Sequence, residues 1–430
     1  MDIGIEAPGA RATRSRFGIL GLIATGTLIN YLDRTILGIA APALMHDLAI
    51  DAAVMGVVFS AFSWSYAAAQ VPGGLFLDRF GTKLTYGLSV ALWSLFTLLH
   101  AFASNLGVLL GLRLALGVSE APCFPANSRV VATWFPQSER AFATSVYTVG
   151  EYIGLAFLSP LLFWMLAHHG WHSLFLSSGL IGVVFAFVWW RKYREPYQSD
   201  TTNQAERDLI VAGGGVVAHQ AAGAPIDWGA ARRLLQFRQM WGICIGQFAS
   251  NSTLVFFLTW FPSYLATERH MDFLKIGFYA VLPFIAASIG VLLGGWWSDG
   301  MLRRGLSANI SRKVPIITGL LLATTIVAAN FVDSNGLVIA ILSVAFFAQG
   351  MAALGWTLVS DIAPDGALGL TGGIFNLAAN LAGIVTPLVI GAIVSATGSF
   401  FFALAYVSVL ALIGALAYIF ILGDVKRIVL

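Results

Sequence analysis

Twelve apolar stretches dominate the sequence, each about as long as the roughly 20 residues that an α-helix needs to cross a bilayer. Numbered spans 1 to 12, they cover 17–43, 52–77, 84–104, 107–131, 141–166, 172–190, 239–265, 276–298, 314–332, 337–360, 370–394 and 400–422. The strands of a transmembrane β-barrel are shorter and alternate in polarity. Only 10% of the residues are charged, against about 25% in soluble domains. The chain is therefore expected to be an all-α membrane protein with 12 transmembrane helices.

The spans fall into two groups of six. We expect a tail at 1–16, a six-helix bundle at 17–190, a loop at 191–238, a second bundle at 239–422 and a tail at 423–430. Within the loop, 200–226 is rich in small residues and is expected to be flexible. Two pseudo-symmetric bundles around a central pathway are typical of secondary transporters that work by alternating access.

Basic residues predict the orientation. If the N-terminus is inside, 20 of the 24 Lys and Arg residues fall in inner segments, and only Arg269 and Lys275 lie in outer loops. Positive charge accumulates on the cytoplasmic side of membrane proteins. Both termini are therefore expected in the cytoplasm of a bacterial cell, with the chain in its inner membrane.

A glycine-rich charged motif follows span 2, from Gly73 to Lys83, and a degenerate copy lies 221 residues later around Asp299. We expect the glycines to let helices approach closely. The acidic side chains are expected to face a helix N-terminus or an arginine of a neighbouring span, so that these contacts gate the inner side. The predicted gating residues are Gly74, Asp78, Arg79, Lys83 and Asp299.

Ionisable residues inside the spans are few and lie in the first half. They are Asp33, Arg34, Arg113, Glu120 and Glu151. A charge at bilayer depth costs about 2.5–3.5 kcal/mol or more, so such residues usually serve function. Asp33 and Arg34 lie three and four residues after Asn30, and Arg113, Gly117 and Glu120 share a face of span 4.

Two acids and two arginines facing one cavity would balance each other's charge. When a substrate carboxylate binds an arginine, the released acid gains a reason to bind a proton, which couples proton and anion binding. The alternative is that these pairs only pin helices together. For Glu151, a third proton site, a neutral hydrogen-bond donor and a structural role all remain open.

The second half offers neutral polar groups instead. Amides and an indole suit a polyhydroxylated ligand, because they bind hydroxyl groups and stack on a sugar face; interhelical hydrogen bonding is the alternative. These residues are Gln247, Asn251, Trp356, Thr357, Asn376 and Asn380, and Tyr31 and Tyr66 from the first half are expected to line the same cavity.

Several other classes of function are disfavoured. The two cysteines, Cys123 and Cys244, lie far apart in apolar runs and suggest neither a disulfide nor a zinc site. Neither a Walker motif nor a nucleophile–base arrangement stands out, so we expect no enzyme, no cofactor and no metal. A net charge of +3 is too small to indicate nucleic acid. The histidines are expected at the surface: His46, His168, His169, His172 and His270 near outer loops, and His100 and His219 in similar roles.

The motif Gly74-x-x-x-Asp78-Arg79-x-Gly81-x-Lys83 resembles the signature loop of the major facilitator superfamily. Within it, the chain resembles the anion:cation symporter family through Asn30-Tyr31-Leu32-Asp33-Arg34, Arg113 with Gly-Val-Ser-Glu120-Ala-Pro, Trp134-Phe-Pro136-x-x-Glu139-Arg140 and Trp260-Phe-Pro262-x-Tyr264. The resemblance covers nearly the whole chain. It is strongest to bacterial proton symporters of D-galactonate, D-glucarate and galactarate, and looser to hexuronate carriers.

The resemblance implies a role for each matching position. Asp33 and Glu120 match proton-binding acids, Arg34 a substrate-side arginine, and Arg113 the partner of the span-4 acid. Expected ligand contacts are Tyr31, Tyr66, Gln247, Trp356, Thr357 and Asn376. Glu151 stands where this group has glutamine, which bears on the substrate's charge and the proton count. The expected partners are a small organic anion, a proton and the lipid bilayer, and the protein is expected to be a monomer. The alternative substrate is an aromatic or dicarboxylic acid.

Overall fold

The computed structural model describes residues 11–136, 139–213, 215, 232–364 and 368–429, with the backbone alone at 71, 78, 140, 141, 145, 149–155, 360, 368 and 369. Across these residues the chain is almost entirely helical. Nine segments are long and apolar enough to cross a membrane by the criteria of length and composition. One of these nine segments, Ala156–Lys192, covers both span 5 and span 6. Spans 1 and 3 are not among the nine, and span 1 carries charges at its centre.

The helices that form the first six spans are longer than the apolar runs. They are Ser15–Asp47 for span 1, Ala52–His100 for spans 2 and 3, Leu106–Glu120 with Cys123–Trp134 for span 4, and Arg140–Lys192 for spans 5 and 6. Asp51 and Asn105 cap two of them, because their side-chain oxygens accept hydrogen bonds from Val54 N at 2.8 Å and Val108 N at 3.0 Å.

Two glycines divide the longest helices into pairs of spans. Gly81 has φ +78° and ψ 170°, and Gly170 has φ +73° and ψ 172°, in otherwise helical segments. Residues other than glycine rarely adopt a positive φ, because their β-carbon clashes with the backbone. The chain therefore turns between spans 2 and 3 at Gly81, and between spans 5 and 6 at Gly170.

The last six spans follow a short helix, Gln204–Ala212, in the inter-half loop. They are Arg238–Thr259 with Phe261–Ser263 and the π-helical Tyr264–Glu268 for span 7, Phe273–Arg303 for span 8, Ala308–Ala323 with the 3₁₀ turn Thr324–Phe331 for span 9, Asn335–Ala352 with Gly355–Ile362 for span 10, Leu368–Thr397 for span 11, and Phe401–Leu416 with the π-helical Ala417–Ile421 for span 12. The described residues thus supply helices for each of the twelve spans expected from the sequence.

The two halves meet at one side of the membrane. We call the side where span 1 begins at Ser15 the terminus side, and the opposite side the far side. Near the far side, a β-carbon on Gly38 would lie 2.4 Å from the carbonyl oxygen of Leu258. Ser395 Oγ donates to Asp51 Oδ2 at 3.1 Å, and Ser60 Oγ donates to the carbonyl of Ile384 at 2.9 Å.

Further contacts at this side involve the aromatic ring of Phe59, which lies 5.2 Å from that of Trp260. A β-carbon on Gly277 of span 8 would lie 3.2 Å from the Cα of Pro160 in span 5. Small residues allow such close approach of backbones, which drives helix association in lipid. The halves are therefore packed tightly together in the far parts of spans 1, 2, 5, 7, 8 and 11.

The expectation of a flexible loop at 200–226 is wrong for its first part. Asn203 caps the helix Gln204–Ala212, and Glu206 is fully buried. Glu206 accepts hydrogen bonds from Thr13 Oγ1 at 2.5 Å, from Ser15 N at 3.1 Å and from Arg16 Nη1 at 3.0 Å. This carboxylate fixes the helix to the start of span 1. The segment 216–231, with His219, lies outside the described residues.

Candidate functional site

An ion pair between spans 1 and 4 lies inside the first bundle. Arg34 Nε donates to Glu120 Oε2 at 2.9 Å, and Glu120 is fully buried. Among the described residues, Arg34 Nη2 and Glu120 Oε1 make no hydrogen bond of full geometry, although Asn30 lies beside the glutamate. Each member therefore keeps hydrogen-bonding capacity for a further polar group, although water is excluded from the glutamate.

Aromatic rings surround the guanidinium of Arg34. Its central carbon lies 4.9 Å from the ring centroids of Phe62 and Tyr66, 5.3 Å from that of Tyr31 and 6.0 Å from that of Phe124. The negative faces of these rings attract a cation and shield it from water. A cation held in this way binds a carboxylate more strongly than it would in bulk water, because the local dielectric is low.

Asp33 does not pair with Arg34, and it faces a different group of helices. Its Oδ1 accepts a short hydrogen bond from Ser178 Oγ of span 6, and its Oδ2 has no partner. Trp93 and Thr97 of span 3 also face this carboxyl. The physical reason is helix geometry: successive residues point about 100° apart, so the side chains of Asp33 and Arg34 leave span 1 in different directions.

Glu120 forms its ion pair with Arg34, whereas Arg113 acts on Glu120 electrostatically without forming an ion pair with it. The Arg113 side chain is buried, its guanidinium carbon lies 5.0 Å from the ring centroid of Phe62, and its Nε has no hydrogen-bond partner. Arg113 precedes Glu120 by two helical turns, a separation of about 10 Å along the axis. The ring of Phe62 thus lies close to two guanidinium groups, those of Arg34 and Arg113.

A neutral aromatic and amide cluster lies in the second bundle. The exposed fraction of Trp356 is 51%, and its ring centroid lies 5.0 Å from that of Phe375 in an edge-to-face contact. A β-carbon on Gly355 would lie 2.8 Å from the Phe375 ring and 3.2 Å from Gln247 Oε1. The structure thus brings Gln247 of span 7 and Trp356 of span 10 to one place, next to span 11.

Three further polar residues predicted in the second half donate to backbone carbonyls. Asn251 Nδ2 donates to the carbonyl of Ala379 at 2.6 Å and joins span 7 to span 11. Asn380 Nδ2 donates to the carbonyl of Asn376 at 3.0 Å, and Thr357 Oγ1 donates to the carbonyl of Leu354 at 2.6 Å. Asn251 therefore has the interhelical role that sequence reasoning held open as the alternative.

Two predicted site residues have side chains outside the described residues. These are Glu151, whose role was left open, and Asp78 of the charged motif.

The charged motif after span 2 forms a turn on the terminus side. Gly73 packs on Pro122, since a β-carbon there would lie 3.0 Å from its Cγ, whereas a β-carbon on Gly74 would meet nothing within 4 Å. Close approach therefore belongs to Gly73. Arg79 is exposed, with its guanidinium carbon 5.4 Å from the ring centroid of Phe80. Lys83 Nζ lies 5.7 Å from the ring of Trp190.

The degenerate copy of the motif forms a small ion network. Arg312 of span 9 donates from Nη1 to Asp299 Oδ1 at 3.1 Å and from Nε to Asp361 Oδ2 at 3.2 Å. Arg312 Nη1 also donates to Ser298 Oγ at 2.9 Å. Asp299 therefore does face an arginine of a neighbouring span, and this arginine joins the terminus-side ends of spans 8, 9 and 10.

Besides Glu206, sequence reasoning missed a buried histidine and a half-buried glutamate. His100, expected at the surface, is 1% exposed and stacks on Phe175 with ring centroids 5.2 Å apart. Glu195, just after span 6, accepts a hydrogen bond from Tyr193 Oη at 3.3 Å, and burial raises the pKa of its carboxyl. The signal for Glu195 was an acid directly before a proline at a helix end; no local signal distinguished His100.

Comparison with known proteins identifies the family. A model of the major facilitator superfamily matches residues 23–308. A D-galactonate transporter of Escherichia coli O6:H1 is 44% identical over 436 residues, with both chains covered completely. Proteins named as probable galactarate/D-glucarate transporters are 42% identical in Bacillus subtilis, covering 100% of this chain and 96% of that one, and 42% identical in E. coli K12, covering 97% and 96%.

Solved structures support the same fold. The crystal structure of a bacterial homologue of the human lysosomal transporter Spinster, in an inward-facing and occupied conformation, superposes with a TM-score of 0.72. It is 18% identical and covers 95% of this chain and 97% of its own. The chain is therefore a multi-pass membrane transporter, not an enzyme, and belongs to the major facilitator superfamily.

Proposed function

We propose that this protein is a proton-coupled symporter of a sugar-acid anion, a hexonate or aldarate such as D-galactonate or D-glucarate, or a hexuronate. The observation that carries the proposal is the buried Arg34–Glu120 pair. An anion that binds Arg34 competes with Glu120 for the guanidinium. A glutamate that loses its cation while buried is stabilised by a proton, so the two binding events favour each other.

The names of the relatives supply the substrate class. Proteins 41–44% identical to this chain are named as D-galactonate and galactarate/D-glucarate transporters. Sugar acids combine a carboxylate with several hydroxyl groups. Arg34 and Arg113 suit the carboxylate, whereas Gln247, Trp356, Thr357 and Asn376 suit the hydroxyl groups and the carbon chain. Tyr31 and Tyr66 flank the arginine, and Glu151 is proposed as a further contact.

Alternating access is the proposed cycle. The halves, 17–190 and 239–422, rock about a binding site between them, while the tails and the loop at 191–238 lie in the cytoplasm. The packing at the far side then corresponds to a state closed toward the outside. The protein works as a monomer in the bacterial inner membrane. Its inner gate is formed by Gly74, Asp78, Arg79, Lys83 and Asp299. Asp33 and Glu120 carry the protons.

Uptake into proteoliposomes tests this function. The purified protein is expected to accumulate labelled D-galactonate or D-glucarate when a proton gradient, inside alkaline, is imposed, and to lose accumulation when an ionophore collapses the gradient. Transport of an aromatic or short dicarboxylic acid in place of sugar acids would favour the alternative substrate class. Sodium-driven uptake without a proton gradient would contradict the coupling.

A further inference from the structure

Four buried polar atoms between spans 1 and 3 make no hydrogen bond of full geometry among the described residues, although Trp93 and Thr97 direct their donor groups at the Asp33 carboxyl. They are Asp33 Oδ2, Trp93 Nε1, Thr97 Oγ1 and His100 Nε2. Their residues are each between 0 and 1% exposed. Buried polar groups in folded proteins are nearly always paired, and those without protein partners are commonly bridged by water. The four atoms therefore mark a polar strip through an otherwise apolar bundle.

Helical spacing aligns three of them. Trp93, Thr97 and His100 follow one another at intervals of four and three residues, so they lie on one face of span 3. Trp93 and Thr97 face the Asp33 carboxyl. His100 lies one turn further toward the far side, as the last residue of the helix Ala52–His100. The strip thus runs from Asp33 toward the far membrane surface and ends at an imidazole.

The imidazole is held in one orientation. His100 Nδ1 lies 2.7 Å from the carbonyl oxygen of Phe96, and the ring stacks on Phe175 with an interplanar angle of 17°. A carbonyl only accepts, so Nδ1 carries the hydrogen and Nε2 presents a lone pair in the neutral ring. The charged groups near this ring are Arg113 of span 4, which acts on it electrostatically, and Asp33 of span 1 further along the strip.

We propose that His100 is the outer relay of a proton path that leads along span 3 to Asp33, an inference that rests on the proposed proton coupling. Water from the far side gives a proton to Nε2, which forms the imidazolium. The same nitrogen then returns the proton to a water held by Thr97, and the proton passes to Asp33 Oδ2. The carboxyl becomes neutral, and His100 recovers its lone pair.

Arg113 gives the relay its direction. A guanidinium near a protonated imidazole repels it, so the imidazolium is short-lived and passes its proton on. Asp33 attracts that proton, because an unpaired carboxylate oxygen buried in the bundle is costly. His100 is thus a positioning and relay residue without contact to the substrate.

Replacement of His100 by asparagine tests the relay. The amide nitrogen of His100→Asn keeps a donor for the Phe96 carbonyl but removes the proton-accepting Nε2. Proton-driven accumulation is expected to fall at least about tenfold, because positioned proton-transfer groups contribute rate factors of about 10² or more. Counterflow exchange of labelled for unlabelled sugar acid at equal pH is expected to persist.

Thr97→Val, which removes one hydroxyl at constant shape, is expected to slow accumulation as well. His169→Asn, at an exposed far-side histidine, is the control and is expected to behave as the wild type.

The outcomes separate the relay from the proposed function. Loss of accumulation in Asp33→Asn together with normal accumulation in His100→Asn would overturn the relay alone. Normal accumulation in Asp33→Asn would overturn the proposed coupling through Asp33 and the relay with it. Loss of both accumulation and counterflow in folded His100→Asn would mean that the histidine only supports packing. If His100→Asn does not fold, normal accumulation in Thr97→Val overturns the relay.

Discussion

Arg34 of span 1 and Glu120 of span 4 are joined by a hydrogen bond of 2.9 Å, while the second oxygen of Glu120 makes no hydrogen bond of full geometry within the described part of the chain. The sequence placed both residues in the membrane, and the family resemblance matched Arg113, in the same span, as the partner of Glu120. The observed pair links two helices of the first bundle. If a bound substrate breaks this ion pair, spans 1 and 4 are free to move relative to each other.

Glu120→Gln is expected to separate binding from coupling. The neutral amide competes less strongly for Arg34, so the affinity for the anion is retained or increased, whereas no proton can be carried at this position. Gradient-driven accumulation should fall by at least about tenfold, and ligand-induced thermal stabilisation should persist. Arg34→Gln is the contrasting variant and should lose the ligand response. Full accumulation by Glu120→Gln would contradict the proposed role.

Trp356→Ala is expected to weaken substrate binding. The half-exposed indole packs edge-to-face on Phe375, and loss of one aromatic face costs about 0.5–1.5 kcal/mol. The KM for the transported sugar acid should rise roughly twofold to tenfold, with a smaller change in kcat. Trp296→Ala, at a 70% exposed tryptophan of span 8, is the matched control. An unchanged KM would remove Trp356 from the site.

Gly38→Val is expected to open the far side. Its side chain would collide with the Leu258 carbonyl oxygen, which lies only 2.4 Å from where a β-carbon would stand, and such overpacking costs about 1–3 kcal/mol. A cysteine introduced as Ser60→Cys, at the same interface, should then react at least about fivefold faster with a membrane-impermeant thiol reagent. Gly18→Val in the same span, where a β-carbon would meet nothing within 4 Å, should leave the rate unchanged. Equal rates in both variants would argue against a closed far side.

Glu206→Gln is expected to destabilise the protein. An amide has one oxygen acceptor, whereas the carboxylate of Glu206 accepts from Thr13, Ser15 and Arg16 with both oxygens. Removal of one partner from a buried ion pair costs about 3–5 kcal/mol. Thermal unfolding in detergent should therefore occur at clearly lower temperature. Asp208→Asn, at an exposed carboxylate that binds Gln204 at 2.8 Å, should unfold like the wild type.

Glu195→Gln is expected to stabilise the protein, and more so at higher pH. Burial raises the pKa of Glu195, so folding favours its neutral form. Below the unfolded-state pKa the carboxyl is neutral in both states and resembles glutamine. Above that pKa the unfolded chain ionises first, and the wild type loses stability until the pH passes the raised folded-state pKa. The gain in melting temperature of the variant should therefore be larger at pH 8 than at pH 5. A gain that grows toward low pH would show the opposite shift.

The sequence by itself determined the fold class. Twelve apolar runs in two sets of six leave few arrangements in a bilayer, because every backbone polar group there must be satisfied within a helix. Gly81 and Gly170 were needed at turns where φ is positive. Charges in the spans also identified Asp33, Arg34, Arg113 and Glu120, because such residues are costly in lipid regardless of tertiary detail.

Only the tertiary structure decided which of these groups meet. Spacing along one helix does not say which neighbouring helix a side chain faces, so the pairing of Arg34 with Glu120 and of Asp33 with Ser178 was not predictable. The burial of His100 and Glu206 likewise depends on helices distant in the sequence. Contacts between distant segments depend on how whole helices pack. That packing results from many interactions along the chain together, so it cannot be read from the residues of one helix.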